Sequence, residues 1–169
     1  NLEKLKLVFE CERDENKLLF VEGNIANEFP KEADKLDYIF HAASPISGVE
    51  IKEKPVDTIA SNLNGTLHCL EYLKMQGDGR LVVFSSATVY GNQLSEEMTV
   101  SECDTVRADA LHIANAPYSE SKRMIEVLAR AYNKQYGVDT VIVRISYAYG
   151  FTKPSPNTAF YEFVNKAVA

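Results

Sequence analysis

Four short apolar runs alternate with two long segments of helical periodicity, and this alternation limits the folds that the chain can adopt. Each run has the length of a buried strand and is followed by glycine or by small or polar residues. The runs are residues 17–21, 38–43, 80–85 and 139–145. Residues 55–75 and 117–136 carry apolar side chains at helical spacing. Strands that alternate with long helices predict βαβ units in a mostly parallel sheet covered on both faces, which is a doubly wound α/β fold.

Proline and glycine mark the ends of the two long helices. Pro55 opens the first helix, Gly77 and Gly79 stop it, and Gly137 ends the second. Between the two helices, residues 87–116 contain a polar stretch long enough to predict a functional loop. Weaker patterns predict a helix at residues 2–14, a short helix or turn at residues 30–35, and a last helix at residues 158–169.

The composition argues against several classes of protein. The 169 residues suit one domain, and a net charge of −6 without a run of lysine or arginine disfavours nucleic-acid binding. No apolar run approaches the roughly 18 residues that a membrane span needs. Cys11, Cys69 and Cys103 stand too far apart for a zinc motif. We therefore expect a cytoplasmic protein with reduced thiols, without a metal site and without a membrane or nucleic-acid partner.

Small and polar residues follow the apolar runs. They are Asn24, Ala42, Ala43, Ser85, Ser86 and Tyr147. Ligands of parallel α/β sheets bind at the carboxyl ends of the strands, where these residues would meet. His41 belongs to the same region, and we expect a strand-end histidine with satisfied hydrogen bonds there.

Tyr118 and Lys122 are four residues apart at the start of the second long helix, so their side chains project from one face. A phenol beside a fixed positive charge is suited to accept a proton. Taken alone, the spacing is more typical of an ordinary solvated helix face, so the neighbouring motifs must decide.

Several short motifs, in order along the chain, together resemble the extended short-chain dehydrogenase/reductases, which include sugar-nucleotide epimerases, dehydratases and decarboxylases. The matches are residues 23–25, 37–43, 62–66, 84–91, Tyr118 with Lys122, and 144–150. The resemblance implies a Rossmann-like fold and NAD as cofactor, with NADP less expected. It also implies a nucleotide-sugar substrate.

The resemblance assigns a catalytic set to this chain. Ser86 would hydrogen-bond the reacting hydroxyl or carbonyl of the sugar, and Tyr118 would remove the hydroxyl proton. Lys122 would hold the nicotinamide ribose and favour the phenolate. Both Tyr118 and Lys122 would thus touch the cofactor as well. Six further positions would line NAD: Asn24, Ile25, Ala42, Ala43, Asn62 and Ser85. Asn24 replaces the usual aspartate facing the adenine, and Asn62 would tie its helix to the strand ends.

Positions at which this chain departs from the family pattern favour some of the family's reactions over others. Dehydratases carry an Asp-Glu pair where this chain has Ala87 and Thr88, so a second acid/base pair is missing. The string around Ser86 resembles that of the 4-epimerases and favours 4-epimerisation. Alternatives are a decarboxylase or dehydratase, a reductase of small carbonyls, and a non-catalytic NAD-binding regulatory protein. Ser44, Thr88 and Tyr147 are the candidate substrate contacts, although Tyr147 stands where the family usually has asparagine.

The resemblance also predicts that residues 1–169 form an incomplete NAD-binding domain. No GxxGxxG string for the cofactor pyrophosphate is present. The first βαβ unit and the C-terminal substrate domain would lie outside the chain, and residues 151–169 would begin the segment leading into that domain. We expect these residues alone to be inactive and to bind NAD weakly. The two long helices resemble those through which family members form homodimers.

Overall fold

A computed structural model describes residues 19–45, 48–91, 100–102, 114–148 and 166–167. Three parallel strands form one sheet in the order β1 (Tyr38–His41), β2 (Arg80–Ser86) and β3 (Asp139–Ile145). Tyr38 lies opposite Arg80, and Arg80 lies opposite Asp139, so the three strands start level and end at a common edge. The predicted parallel α/β sheet of Rossmann-like type is confirmed.

Helices connect the strands. The described helices are α1 (Gly48–Glu53), α2 (Pro55–Gln76), a 3-10 helix (Ala87–Tyr90) and α3 (Ala116–Tyr136). The helices α2 and α3 end where glycine was expected to stop them, because Gly77 and Gly137 adopt the left-handed conformation that glycine tolerates best. Their N–H groups bond the carbonyls of Leu73 and Asn133. The helix α1 and the 3-10 helix were not predicted.

The hydrophobic core lies between the sheet and the helices α2 and α3. Alternate strand residues face this layer, and each helix turns one apolar stripe toward it. The core residues are Ile39, Cys69, Leu70, Leu73, Leu81, Val83, Ile125, Ala129 and Val138. The expected inward positions of α3 are confirmed, since Ile125 and Ala129 are buried and Leu128 and Tyr132 pack against the core.

The other face of the sheet is open in the described part of the chain, which agrees with the predicted incomplete doubly wound fold. On the strands, Phe40 is 64% exposed, and Tyr38, Val141 and Val143 are exposed as well. The crossover from β1 to β2 and the crossover from β2 to β3 have the same hand, so both place their helix on the same side of the sheet. In the described part of the chain, the second face therefore keeps its apolar side chains open.

The apolar run at residues 17–21 is a further correction. Leu19, Phe20 and Val21 are described, and they lie outside any strand. The described sheet consists of β1, β2 and β3 and does not include these residues. The segment at residues 30–35 forms a turn, in which the Ala33 N–H bonds the Pro30 carbonyl at 3.3 Å.

Other expectations lie partly or wholly outside the described residues. The predicted helix at residues 2–14 is outside them, as is most of the loop at residues 87–116 and of the helix at 158–169, of which Lys166 and Ala167 are helical. The chain divides into two compact units, Asn24–Tyr147 and a unit formed by Asn1–Gly23 with Ala148–Ala169. No helix within the described residues is long and apolar enough to cross a bilayer.

Candidate active site at the carboxyl edge of the sheet

Ser86 is the last residue of β2 and caps the 3-10 helix that follows it. Its backbone is still extended, at φ −146° and ψ 152°, and its Oγ accepts from the Thr88 N–H at 3.2 Å. The Thr88 hydroxyl donates to the same Oγ at 3.1 Å. Both bonds use Ser86 as an acceptor, so neither uses its O–H as a donor. Ser86 is thereby held at the strand end with a hydroxyl suited to donate to a ligand.

Lys122 is joined to the same strand end. Its Nζ donates to the Phe84 carbonyl at 2.8 Å, and its side chain is only 4% exposed. This burial lowers the pKa of Lys122 to about 8. Tyr118, one helical turn earlier and half-buried, has its ring centroid 5.6 Å from the Lys122 Nζ. The structure thus brings the predicted pair to the strand end that carries Ser86.

His41 lies at the end of β1 and faces the same interior. Burial, followed by the charge of Lys122, lowers its pKa to about 4, although a hydrogen bond to the backbone of Asn62 opposes this shift. His41 is therefore neutral at pH 7. Gly65 on α2 leaves the room that the imidazole occupies, since a Cβ there would lie 2.7 Å from Cε1 of His41. The expected strand-end histidine with a hydrogen-bond partner fits this arrangement.

Asn62 lies fully buried on α2. Its Nδ2 donates to Ser121 Oγ at 2.8 Å, and Ser121 Oγ donates to the Tyr118 carbonyl at 2.9 Å. The side chain of Asn62 thus ties α2 to the first turns of α3, while its backbone is hydrogen-bonded to His41 at the end of β1. Its Oδ1 is buried and has no hydrogen-bond partner among the described residues.

An ion pair between the partly buried Arg144 and the buried Glu126 lies beside Ser85, and it was not predicted from the sequence. Arg144 on β3 makes two hydrogen bonds to the carboxylate of Glu126 on α3, Nε to Oε1 at 2.9 Å and a terminal nitrogen to Oε2 at 2.7 Å. Ser85 Oγ donates to Glu126 Oε1 at 2.6 Å. The available signal was spacing, because Glu126 follows Lys122 by four residues and so shares its helix face.

Asn24, which was predicted to face the adenine, and Ile25 lie at a turn that packs on α2. Asn24 Oδ1 accepts from the Ala26 N–H at 3.0 Å, and the Ile25 carbonyl accepts from His68 Nδ1 at 2.7 Å. Ala42 and Ala43 follow β1 as exposed backbone at the carboxyl edge. Their roles toward NAD stay predictions.

The candidate substrate contacts are spread along the same edge. Thr88 is exposed beside Ser86, and Ser44 is partly buried two residues after the exposed Ala42. Tyr147 follows β3 and is 58% exposed. A cavity of about 510 Å³ lies elsewhere, where Asp37, Arg80 and Asp139 mark the amino ends of the strands. It contains none of the predicted site residues, which lie elsewhere in the structure.

Comparison with known proteins decides the family. The model of the "NAD dependent epimerase/dehydratase family" matches residues 6–169. The chain belongs to this family. The resemblance noted in the sequence is confirmed, and the predicted cofactor is confirmed at the level of the family, which is NAD-dependent. No group of three or more His, Cys, Asp or Glu side chains among the described residues could hold a metal ion.

Individual relatives carry different activities. UDP-glucuronic acid decarboxylase 6 of Arabidopsis thaliana is 35% identical over 116 residues, which are 69% of this chain and 33% of the relative. The dTDP-glucose 4,6-dehydratase DesIV of Streptomyces venezuelae, solved as a double mutant with NAD and DAU, is 28% identical, with a TM-score of 0.65 over 78% of this chain and 38% of that one. The UDP-glucose 4-epimerase of Thermus thermophilus, solved with NAD, is 27% identical, with a TM-score of 0.55 over 64% and 33% of the two chains. The chain thus spans about a third of the length of its relatives.

Proposed function

We propose that the full-length protein carrying this chain transfers hydride between NAD and a carbon of a nucleotide sugar, with 4-epimerisation as the net reaction. The observation that carries the proposal is the buried Lys122 ammonium, held by the Phe84 carbonyl at the strand end that carries Ser86. An uncompensated ammonium is costly to bury, so a site that keeps one needs further acceptors for it.

The residues present fit the nicotinamide end of NAD. Lys122 has three N–H donors, and Phe84 is the acceptor of one of them among the described residues, which leaves two for the two hydroxyls of a ribose. Tyr118 lies on the same helix face. NAD, when bound, supplies the hydride acceptor that allows a sugar hydroxyl to be oxidised and then reduced.

Tyr118 and Ser86 have separate roles in the proposed reaction. Tyr118 takes the proton from the sugar hydroxyl when that carbon is oxidised, and it returns the proton when the carbon is reduced. The Ser86 hydroxyl donates a hydrogen bond to the same sugar oxygen, and the two bonds from Thr88 hold it in place. Epimerisation needs no acid/base group beyond these, because the ketone is reduced on its opposite face.

Thr88 supports epimerisation over dehydration. Its hydroxyl already donates to Ser86, and an unactivated hydroxyl is a poor general base compared with a carboxylate. Elimination of water from the sugar would require a second acid/base group at this position or nearby.

Decarboxylation of UDP-glucuronic acid is the second candidate, and it is supported by the 35% identity to a decarboxylase of that substrate. The two reactions differ in their products. The test is to incubate UDP-glucuronic acid with the full-length protein and NAD. A decarboxylase would release CO2, whereas a 4-epimerase would keep the carboxylate and invert the configuration at carbon 4. NMR of the product distinguishes the two reactions.

The Tyr118→Phe variant tests the catalytic assignment in the full-length protein. It keeps the ring and removes the proton acceptor, so kcat should fall by about 10²- to 10⁴-fold with NAD affinity unchanged. Tyr136→Phe is the matched control, because Tyr136 is exposed at the far end of the same helix. Wild-type turnover in Tyr118→Phe would reject the assignment. NAD binding without turnover of any nucleotide sugar would support the regulatory alternative.

We also propose that the protein forms a homodimer through α2 and α3. Both helices keep apolar side chains exposed on their outer faces, including Val56 and Met75 on α2 and Met124 and Val127 on α3. Burying such side chains against a second copy would remove apolar area from water.

A further inference from the structure

The carboxylate of Glu126 joins three elements at the carboxyl edge of the sheet. It belongs to α3, accepts from Ser85 on β2, and binds Arg144 on β3 through both oxygens. A bidentate pair of this kind fixes direction as well as distance. The ends of β2 and β3 are thereby locked to the helix that carries Tyr118 and Lys122.

Both contacts of Glu126 lead to the segment that holds Ser86. Ser85 is the preceding residue, and its side chain is directed to Glu126. Arg144 lies over the ring of Tyr90, with its guanidinium carbon 4.8 Å from the ring centroid. Tyr90 ends the 3-10 helix that Ser86 begins. The network therefore holds this short helix from both ends.

The hydrogen bonds of the network favour the ionised forms of Glu126 and Arg144. Burial of Glu126 opposes its ionisation, but the hydrogen bonds from Arg144 and Ser85 outweigh this effect and keep the pKa of Glu126 below its ordinary value. The hydrogen bond to Glu126 raises the pKa of Arg144. Arg144 also donates to the Glu102 carbonyl at 3.3 Å. Removing the charge of Arg144 would leave the buried carboxylate of Glu126 without its ionic partner, which is strongly unfavourable.

We propose that Glu126 is a positioning residue for the reaction, and that its carboxylate sets the placement of Ser86 through Ser85 and Arg144. This inference rests on the proposed function and adds to it. The side chain of Ser85 then supports Ser86 and does not bind the cofactor itself. A displacement of a catalytic group by about 1 Å lowers turnover by up to about 10²-fold. Loss of the Glu126 carboxylate should therefore lower kcat.

Glu126→Gln in the full-length protein tests the inference. It keeps the shape of the side chain and removes its charge. We expect kcat to fall about 10- to 100-fold, with the KM for the sugar and the Kd for NAD within about twofold of the wild type. Ser85→Ala should lower kcat in the same way and leave the Kd for NAD unchanged. A raised Kd for NAD in Ser85→Ala would show that Ser85 contacts the cofactor and would overturn this role.

Asp139→Asn is the matched control. Asp139 pairs with Arg80 at 2.7 Å and joins the same two strands at their amino ends, where both side chains are about half exposed. This variant should keep the wild-type kcat. If it lowers kcat as much as Glu126→Gln does, the effect comes from general loosening of the sheet and the inference fails.

A double variant separates positioning from stability. Glu126→Leu combined with Arg144→Met replaces the buried pair with apolar side chains, a change that often preserves stability. We expect its urea midpoint to match the wild type while kcat stays low, because Ser85 has lost its acceptor. Recovery of kcat together with stability would show that the pair is merely structural and would overturn the inference.

A second readout keeps the inference testable if the proposed function fails. The amide NMR signals of Ser86 and Thr88 should shift in Glu126→Gln and Ser85→Ala and stay in place in Asp139→Asn. Unchanged signals in Glu126→Gln would refute the positioning role. A wild-type protein that turns over no nucleotide sugar would refute the proposed function, and the NMR comparison would still decide the placement of Ser86.

Discussion

Gly65→Ala should destabilise the protein, although alanine is normally the better helix former. Gly65 lies inside α2, where replacing glycine with alanine ordinarily gains about 0.5–1 kcal/mol. Here the new Cβ would lie 2.7 Å from Cε1 and 2.9 Å from Nε2 of His41, and 3.1 Å from Cγ2 of Ile25. Favourable contacts between carbon atoms lie at about 3.5–4.0 Å, so the imidazole would have to move.

The movement is costly because His41 is buried and its ring is hydrogen-bonded to the backbone of Asn62. Overpacking in a well-packed interior costs about 1–3 kcal/mol. After the gain in helix propensity is subtracted, and because three contacts are violated at once, we expect a net loss of about 1–2 kcal/mol in the free energy of unfolding.

Urea unfolding followed by circular dichroism measures this loss. Gly48→Ala is the control, since Gly48 is helical and a Cβ there would meet no atom within 4 Å. It should leave stability unchanged or raise it by up to about 1 kcal/mol. In a His41→Ala background, most of the penalty for Gly65→Ala should disappear, because two of the three close contacts are gone and only the contact to Ile25 at 3.1 Å stays. A Gly65→Ala protein as stable as the wild type would refute the packing argument.

Two further predictions concern the charges and the outer helix faces. The pKa of His41 in the folded protein, about 4, lies below its ordinary value of 6.5. The neutral imidazole therefore contributes its full stabilisation above pH 6.5. As pH falls from 6.5 toward 4, the free energy of unfolding should decrease by up to about 3 kcal/mol. An NMR titration should place this pKa near 4 and show that Lys122→Met raises it, whereas an ordinary value in the wild type would contradict the burial argument. For the proposed dimer, Met124→Glu with Val127→Glu should halve the mass of the full-length protein in light scattering, and an unchanged dimer mass would exclude α3 from the interface.

Several features could be predicted because the physics that produces them is local. Pro55 and Gly77 bound α2 through backbone conformations that neighbouring residues do not alter. The spacing of Tyr118 and Lys122 placed them on one face of α3 for the same reason. The order of short motifs predicted the family, which is confirmed, while the catalytic roles of Ser86, Tyr118 and Lys122 stay predictions.

Other features depend on contacts between distant segments. Residues 17–21 have the composition of a strand, yet the described part of that run is not one, because strand formation depends on tertiary context more than on composition. The open face of the sheet also depends on distant segments. Apolar residues on the strands predict that another layer packs on this face, but they do not specify which part of the protein supplies that layer.

The sequence by itself determined the strands β1 to β3, the two long helices and the identity of the residues at the carboxyl edge, because side-chain periodicity and helix ends act over a few residues. Tertiary structure decided which partner each polar group found. Glu126 reaches Arg144 and Ser85 across three elements, and His41 fits only because Gly65 on α2 leaves space for its ring. Such pairings depend on the packing of elements far apart in the chain, and no local pattern encodes them.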